Sequence, residues 1–130
     1  MKVLICGGRD FTDRSLFYST MDDLSEELDF DGNQPITIIE GGARGADTLA
    51  REYAEESGWG LEEYPADWKK DGRRAGYVRN TKMLEEGRPD VVVAFPGGKG
   101  TAMMVDIAKR AEVPVRMPLG ASEKVTDAFK

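Results

Sequence analysis

Histidine is absent from the 130 residues, and with it go Ser-His and Cys-His nucleophile activation, imidazole general bases and every His-containing metal site. Any catalysis must run on carboxylates, lysine, tyrosine, arginine or backbone amides. Cysteine is nearly absent. Cys6 alone cannot staple a fold, and its place at the end of a short apolar run reads as a buried, inert thiol before a nucleophile. No apolar stretch approaches transmembrane length, so no membrane partner is expected. The opening run Met1–Cys6 meets Gly7 too soon for a secretory signal core, and a cytoplasmic protein is the expectation. A basic excess is missing as well. The net charge of −6 counts against binding to double-stranded DNA while leaving room for a local basic patch.

What is present is an ordinary globular composition, 40% hydrophobic and 32% charged, with enough length for one domain and a real core. We expect that domain over residues 1–117, followed by a polar tail over 118–130 that frays. Lys2–Cys6, Ile36–Glu40 and Asp90–Phe95 are apolar runs that read as buried strands, with weaker strands at Trp59–Tyr64 and Val113–Met117. Helical spacing joins Phe17, Met21, Leu24 and Leu28 behind a cap at Thr12 or Asp13. The same spacing joins Ala46, Leu49, Ala50, Tyr53 and Ala54 ahead of Gly58. Further helices are expected from about Arg74 to Glu86 and from Lys99 or Gly100 onward, the latter with Met104, Ile107, Ala108 and Ala111 on one face. Asp31-Gly32-Asn33 reads as a turn, and Pro65–Gly72 as an irregular segment. Alternating strands and helices predict an α/β fold with a mostly parallel five-stranded sheet in a three-layer α/β/α sandwich, strand order 3-2-1-4-5.

Three glycine-rich turns follow the strongest strands: Gly7-Gly8-Arg9-Asp10, Gly41-Gly42-Ala43-Arg44-Gly45-Ala46-Asp47 and Pro96-Gly97-Gly98-Lys99-Gly100-Thr101. In the expected order they meet at the carboxyl edge of the sheet, where strands one and four part and ligands bind in open α/β sheets. Glycines allow close backbone approach, and a helix start offers unpaired N–H groups to an anion. Neither standard phosphate motif fits. Lys99 is followed by Gly100 where a Walker loop needs Ser or Thr, and no Gly-x-Gly-x-x-Gly joins the first strand to the first helix. Arg9, Arg44, Lys99, Arg79 and Asn80 are suited to phosphate, and Asp10 and Asp47 to ribose hydroxyls. Each also has a plainer reading as loop solvation, ion pairing or, for Asp47, first-turn helix electrostatics. Trp68 and Tyr64 could stack on a base, against the commoner role of packing at the core rim.

The ordered blocks Gly7-Gly8-Arg9-Asp10-Phe11, residues 41–47, Pro65-Ala66-Asp67-Trp68, Ala75-Gly76 with Arg79-Asn80 and Met83, and residues 96–101 resemble the YspA, cpYpsA-related branch of the SLOG superfamily over residues 1 to about 117. That resemblance to a group found in bacteria and phages implies a Rossmann-like fold and a nucleotide or nucleotide-derived ligand, with residues 96–101 near its phosphate. It also brings in the Lonely Guy phosphoribohydrolases, whose catalytic arginine matches Arg79 ahead of Met83. Their catalytic glutamate, three residues after the Gly-Thr, falls on Met104 here. A thioether cannot stabilise an oxocarbenium-like ribose or handle a proton, so the balance moves from catalysis toward binding. A relocated carboxylate, from Glu40, Asp10, Asp47 or Asp67, would restore an N-glycosidase. DNA handling, as in DNA-processing protein A, is a third reading that the acidic charge disfavours. Relatives commonly dimerise, so the resemblance allows a homodimer. No cofactor and no metal are expected.

Overall fold

A computed structural model describes residues 1–28 and 35–118. The expected turn at 31–33 and residues 119–130 of the expected tail lie outside the described residues. Five parallel strands, β1 (Lys2–Cys6), β2 (Thr37–Glu40), β3 (Gly60–Glu63), β4 (Val91–Ala94) and β5 (Val115–Arg116), form one sheet in the order β3-β2-β1-β4-β5. The helices are α1 (Arg14–Leu28), α2 (Ala46–Ser57), α3 (Trp68–Asp71), α4 (Ala75–Glu85) and α5 (Lys99–Arg110). The expected α/β, Rossmann-like architecture is the one found.

Side chains alternate across each strand, so the central strands feed two separate cores. Val3 and Ile5 of β1, Ile38 of β2, and Val91 and Val93 of β4 pack with Phe17, Met21 and Leu24 of α1 and with Leu49, Ala50 and Tyr53 of α2. Leu4, Cys6, Ile39, Val92 and Ala94 point the other way, onto Met83 of α4 and Met104, Val105 and Ala108 of α5. Burial on both faces explains why the central strands read as continuous apolar runs. Phe17 stacks on Phe95 at 4.7 Å between ring centres, pinning α1 under the end of β4. Register is set in the middle of the sheet, where Leu4 of β1 faces Ile39 of β2 on one side and Val92 of β4 on the other.

Local signals account for the helix ends. Asp13, rather than Thr12, caps α1, its Oδ1 accepting the Leu16 N–H at 3.0 Å. Gly58 closes α2 in the left-handed region at φ 70°. The segment Pro65–Gly72, expected to be irregular, contains α3 and ends where a 3-10 turn, Gly72–Arg74, begins. Asp67 starts α3 by accepting the Lys70 N–H at 3.1 Å. None of the α3 residues is buried, so the element carries no apolar periodicity to betray it.

Candidate functional site

The three glycine turns interlock through the backbone of Gly8. Its N–H donates to the Pro96 carbonyl at 2.9 Å, and its own carbonyl accepts the Ala46 N–H at 3.2 Å. Contact this close leaves no room for side chains. A Cβ on Gly45, at φ 78°, would lie 2.2 Å from the Gly8 carbonyl oxygen, and one on Gly97 would lie 2.6 Å from the Gly8 nitrogen. The knot sits at the carboxyl edge of the sheet beside the β1–β4 junction, where the strand order reverses.

A crevice of about 430 Å³ opens there. Gly7, Gly8 and Arg9 line it from the first turn, Asp47 from α2, Arg79 and Asn80 from α4, and Gly98, Gly100 and Thr101 from the start of α5. Other expected residues stand around it rather than in it. Arg44 pairs with Asp10 at 3.2 Å on the open surface and borders a neighbouring concavity with Arg9. Gly41 is buried against the Arg79 guanidinium, and Gly42 packs toward Glu63 and Pro65. Pro96 and Gly97 line a groove with Arg9, Asp10 and Phe11, and Lys99 is exposed. Glu40 is 1% exposed and does not line the crevice.

Arg79 is the tie between the walls. Its Nη1 donates to the Gly41 carbonyl at 2.7 Å and its Nε to Asn80 Oδ1 at 2.9 Å, and among the described residues its other N–H donors meet no protein acceptor. Asn80 in turn donates from Nδ2 to the Gly100 carbonyl at 3.2 Å, holding α4 against the first turn of α5. Asp47 accepts the N–H groups of Gly41 and Ala43, each at 3.2 Å, and so shapes the turn after β2. Burial raises the Asp47 carboxyl above its ordinary value and lowers the Arg79 guanidinium, while their mutual attraction opposes both shifts.

Two further groups lie beneath. Glu40 Oε1 accepts the Gly42 N–H at 2.8 Å. Burial first, then a hydrogen bond with Glu63 and the nearby Asp47 charge, push the Glu40 carboxyl up to about 8. Burial likewise drives the Cys6 thiol up to about 12, which makes it a protonated core residue at neutral pH. Met104 is 0% exposed within the second core, which accounts for its apolar character on α5.

Gly98, the residue before α5, makes no side-chain cap, and the first turn of the helix holds no acidic residue. A Cβ on Gly98 or Gly100 would meet nothing within 4 Å, so packing does not require glycine at either position. The crevice also takes in Trp68, Gly76 and Tyr77, which the turn motifs do not mark. Gly76 and Tyr77 could have been found by helical spacing, since they lie one turn before Arg79 and Asn80. Tyr64 is different: it packs against the second core and its hydroxyl donates to Glu62.

Residues 1–70 match the YspA, cpYpsA-related SLOG family. The Gene 61 protein of Mycobacterium phage D29 is 35% identical over 125 residues, an alignment that takes in 88% of this chain and 93% of the phage protein. The chain belongs to the YspA, cpYpsA-related SLOG family. The family match holds the first two glycine turns and Trp68 and ends before Arg79. Membership is consistent with a nucleotide-related function. Among the described residues, no helix is long and apolar enough to cross a membrane.

Proposed function

We propose that this protein binds a nucleotide or nucleotide-derived phosphate ligand in the crevice at the carboxyl edge of the sheet. The observation that carries this reading is the start of α5. Its uncapped N–H groups lie beside Gly98 and Gly100, two glycines that packing does not demand, and Arg79 and Asn80 line the same space. A phosphate there would accept backbone N–H bonds along the favourable end of the helix dipole, with the guanidinium opposite. Asp47, which lines the crevice with a carboxylate, suits a ribose hydroxyl. A nucleotide ligand goes with a cytoplasmic setting.

Isothermal titration of a nucleoside monophosphate panel tests the reading. Arg79→Ala is expected to weaken the tightest ligand at least tenfold, the order lost with a charge-assisted hydrogen bond of about 1.5–3 kcal/mol. No heat from any nucleotide at millimolar concentration sinks the proposal.

A second reading, an N-glycosidase on nucleotides, is favoured by one observation: Asp47 brings a carboxyl, raised by burial, into the same crevice as Arg79. Chromatography for free base after incubation with the panel separates the two. Base release that disappears in both Asp47→Asn and Arg79→Ala would replace binding alone with hydrolysis.

A further inference from the structure

Trp68 opens α3 with 51% of its surface exposed and belongs to neither core. A large ring held in water by a short helix is a feature that packing does not explain. Its surroundings do have a common character. The Arg9 guanidinium carbon stands 5.6 Å from the centre of the indole. Among the described residues no carboxylate pairs with Arg9. Lys69, Lys70, Arg73 and Arg74 follow on the same exposed segment and outnumber the neighbouring Asp67 and Asp71, a local positive excess in a chain whose net charge is −6. On the α4 side, a Cβ at Gly76 would meet Trp68 Cη2 at 3.9 Å, an ordinary van der Waals distance, so the edge of the ring lies close to the start of α4.

An apolar protein partner would meet an apolar surround. An aromatic ring among cations, bordering a crevice with an uncapped helix start, matches a flat aromatic group joined to an anion. We propose that Trp68 is the platform on which the base of the bound nucleotide stacks, with Arg9 as its cationic companion and the phosphate held at the start of α5. This rests on the nucleotide reading of the crevice and adds to it where the base goes and how it is recognised. Recognition by a ring face tolerates any base and follows stacking strength, so purine nucleotides bind more tightly than pyrimidine ones.

The test compares AMP, GMP, CMP and UMP with ribose 5-phosphate, which carries the anion and sugar without a base, on the wild type and on Trp68→Ala and Trp68→Phe. Trp68→Ala is expected to lose about ten- to a hundredfold in affinity for AMP, the range of one base–aromatic stack. Trp68→Phe retains most of the AMP affinity, and ribose 5-phosphate binds all three proteins alike. Circular dichroism melts confirm that each variant is folded. If Trp68→Ala binds AMP as the wild type does, the platform is wrong while the nucleotide reading stands. An equal loss of AMP and ribose 5-phosphate also overturns it, because Trp68 would then be shaping the crevice rather than holding a base. Wild-type protein that binds neither AMP nor any other member of the set brings down both proposals.

Discussion

Glu40 faces Glu63 across the β2–β3 ladder, with the Asp47 carboxyl nearby. The consequence is a carboxyl whose value in the folded chain, about 8, lies well above the 4.5 of an ordinary glutamate. Between those values the native state keeps a proton that the unfolded chain has released. The stability it contributes is therefore complete below pH ~4.5 and is lost as pH rises through ~8. Glu40→Gln preserves an acceptor for the Gly42 N–H and a donor toward Glu63 without ionising. Its melting temperature should gain on the wild type between pH 5 and pH 8.5, by on the order of 10 °C. An unchanged gap across that range in paired thermal melts would show that Glu40 carries no such proton. Residue chemistry was unevenly legible in the sequence. The apolar spacing of α5 was enough to assign Met104 to the core. Nothing in the run Ile36–Glu40 says that a glutamate at its end is sealed under the turn rather than open to a ligand, because that depends on how the turn folds back to Gly42 and on Glu63 of the next strand.

Elements were easier to read where they touch the core and harder where they do not. The periodicities of α1, α2, α4 and α5 follow directly from the two faces they cover, and right-handed crossovers then leave few sheet orders to choose among. The helix α3 escaped because its only signals are the Asp67 cap and solvent-facing side chains. The glycine turns were recognisable as a group, yet their glycines divide into two kinds that sequence cannot separate. Gly97 is demanded by the neighbouring turn, since a Cβ there would fall 2.3 Å from Thr101 Oγ1 as well as against Gly8, whereas Gly98 has open space. Gly97→Ala should accordingly cost roughly 1–3 kcal/mol in urea denaturation. Gly98→Ala should stay within ~0.5 kcal/mol while weakening nucleotide binding severalfold, because its methyl would enter the volume proposed for the phosphate. The reverse pattern would mean that the second glycine serves the fold and not a ligand.

At the scale of the molecule, the acidic total and the cationic neighbourhood of the crevice act together. A net charge of −6 repels extended polyanions, while on the proposed reading Arg9, Arg79 and the exposed cations after Trp68 would draw a small anion to one edge of the sheet. Nucleotide affinity is expected to fall as salt rises, because the exposed members of this set are screened over about 8–10 Å at ordinary ionic strength. Single- and double-stranded DNA should show no mobility shift at physiological salt, and a clear shift would favour DNA handling instead. The backbone of Gly8 has one more consequence at this scale. Its amide is committed to the turn after β4 and its carbonyl to the start of α2, so it acts as a keystone whose release loosens both abutments. The Gly8 and Ala46 amide protons should then exchange with heavy water in one shared opening rather than separately. On this edge of the sheet the proposed nucleotide would meet a socket already tied together before it arrives.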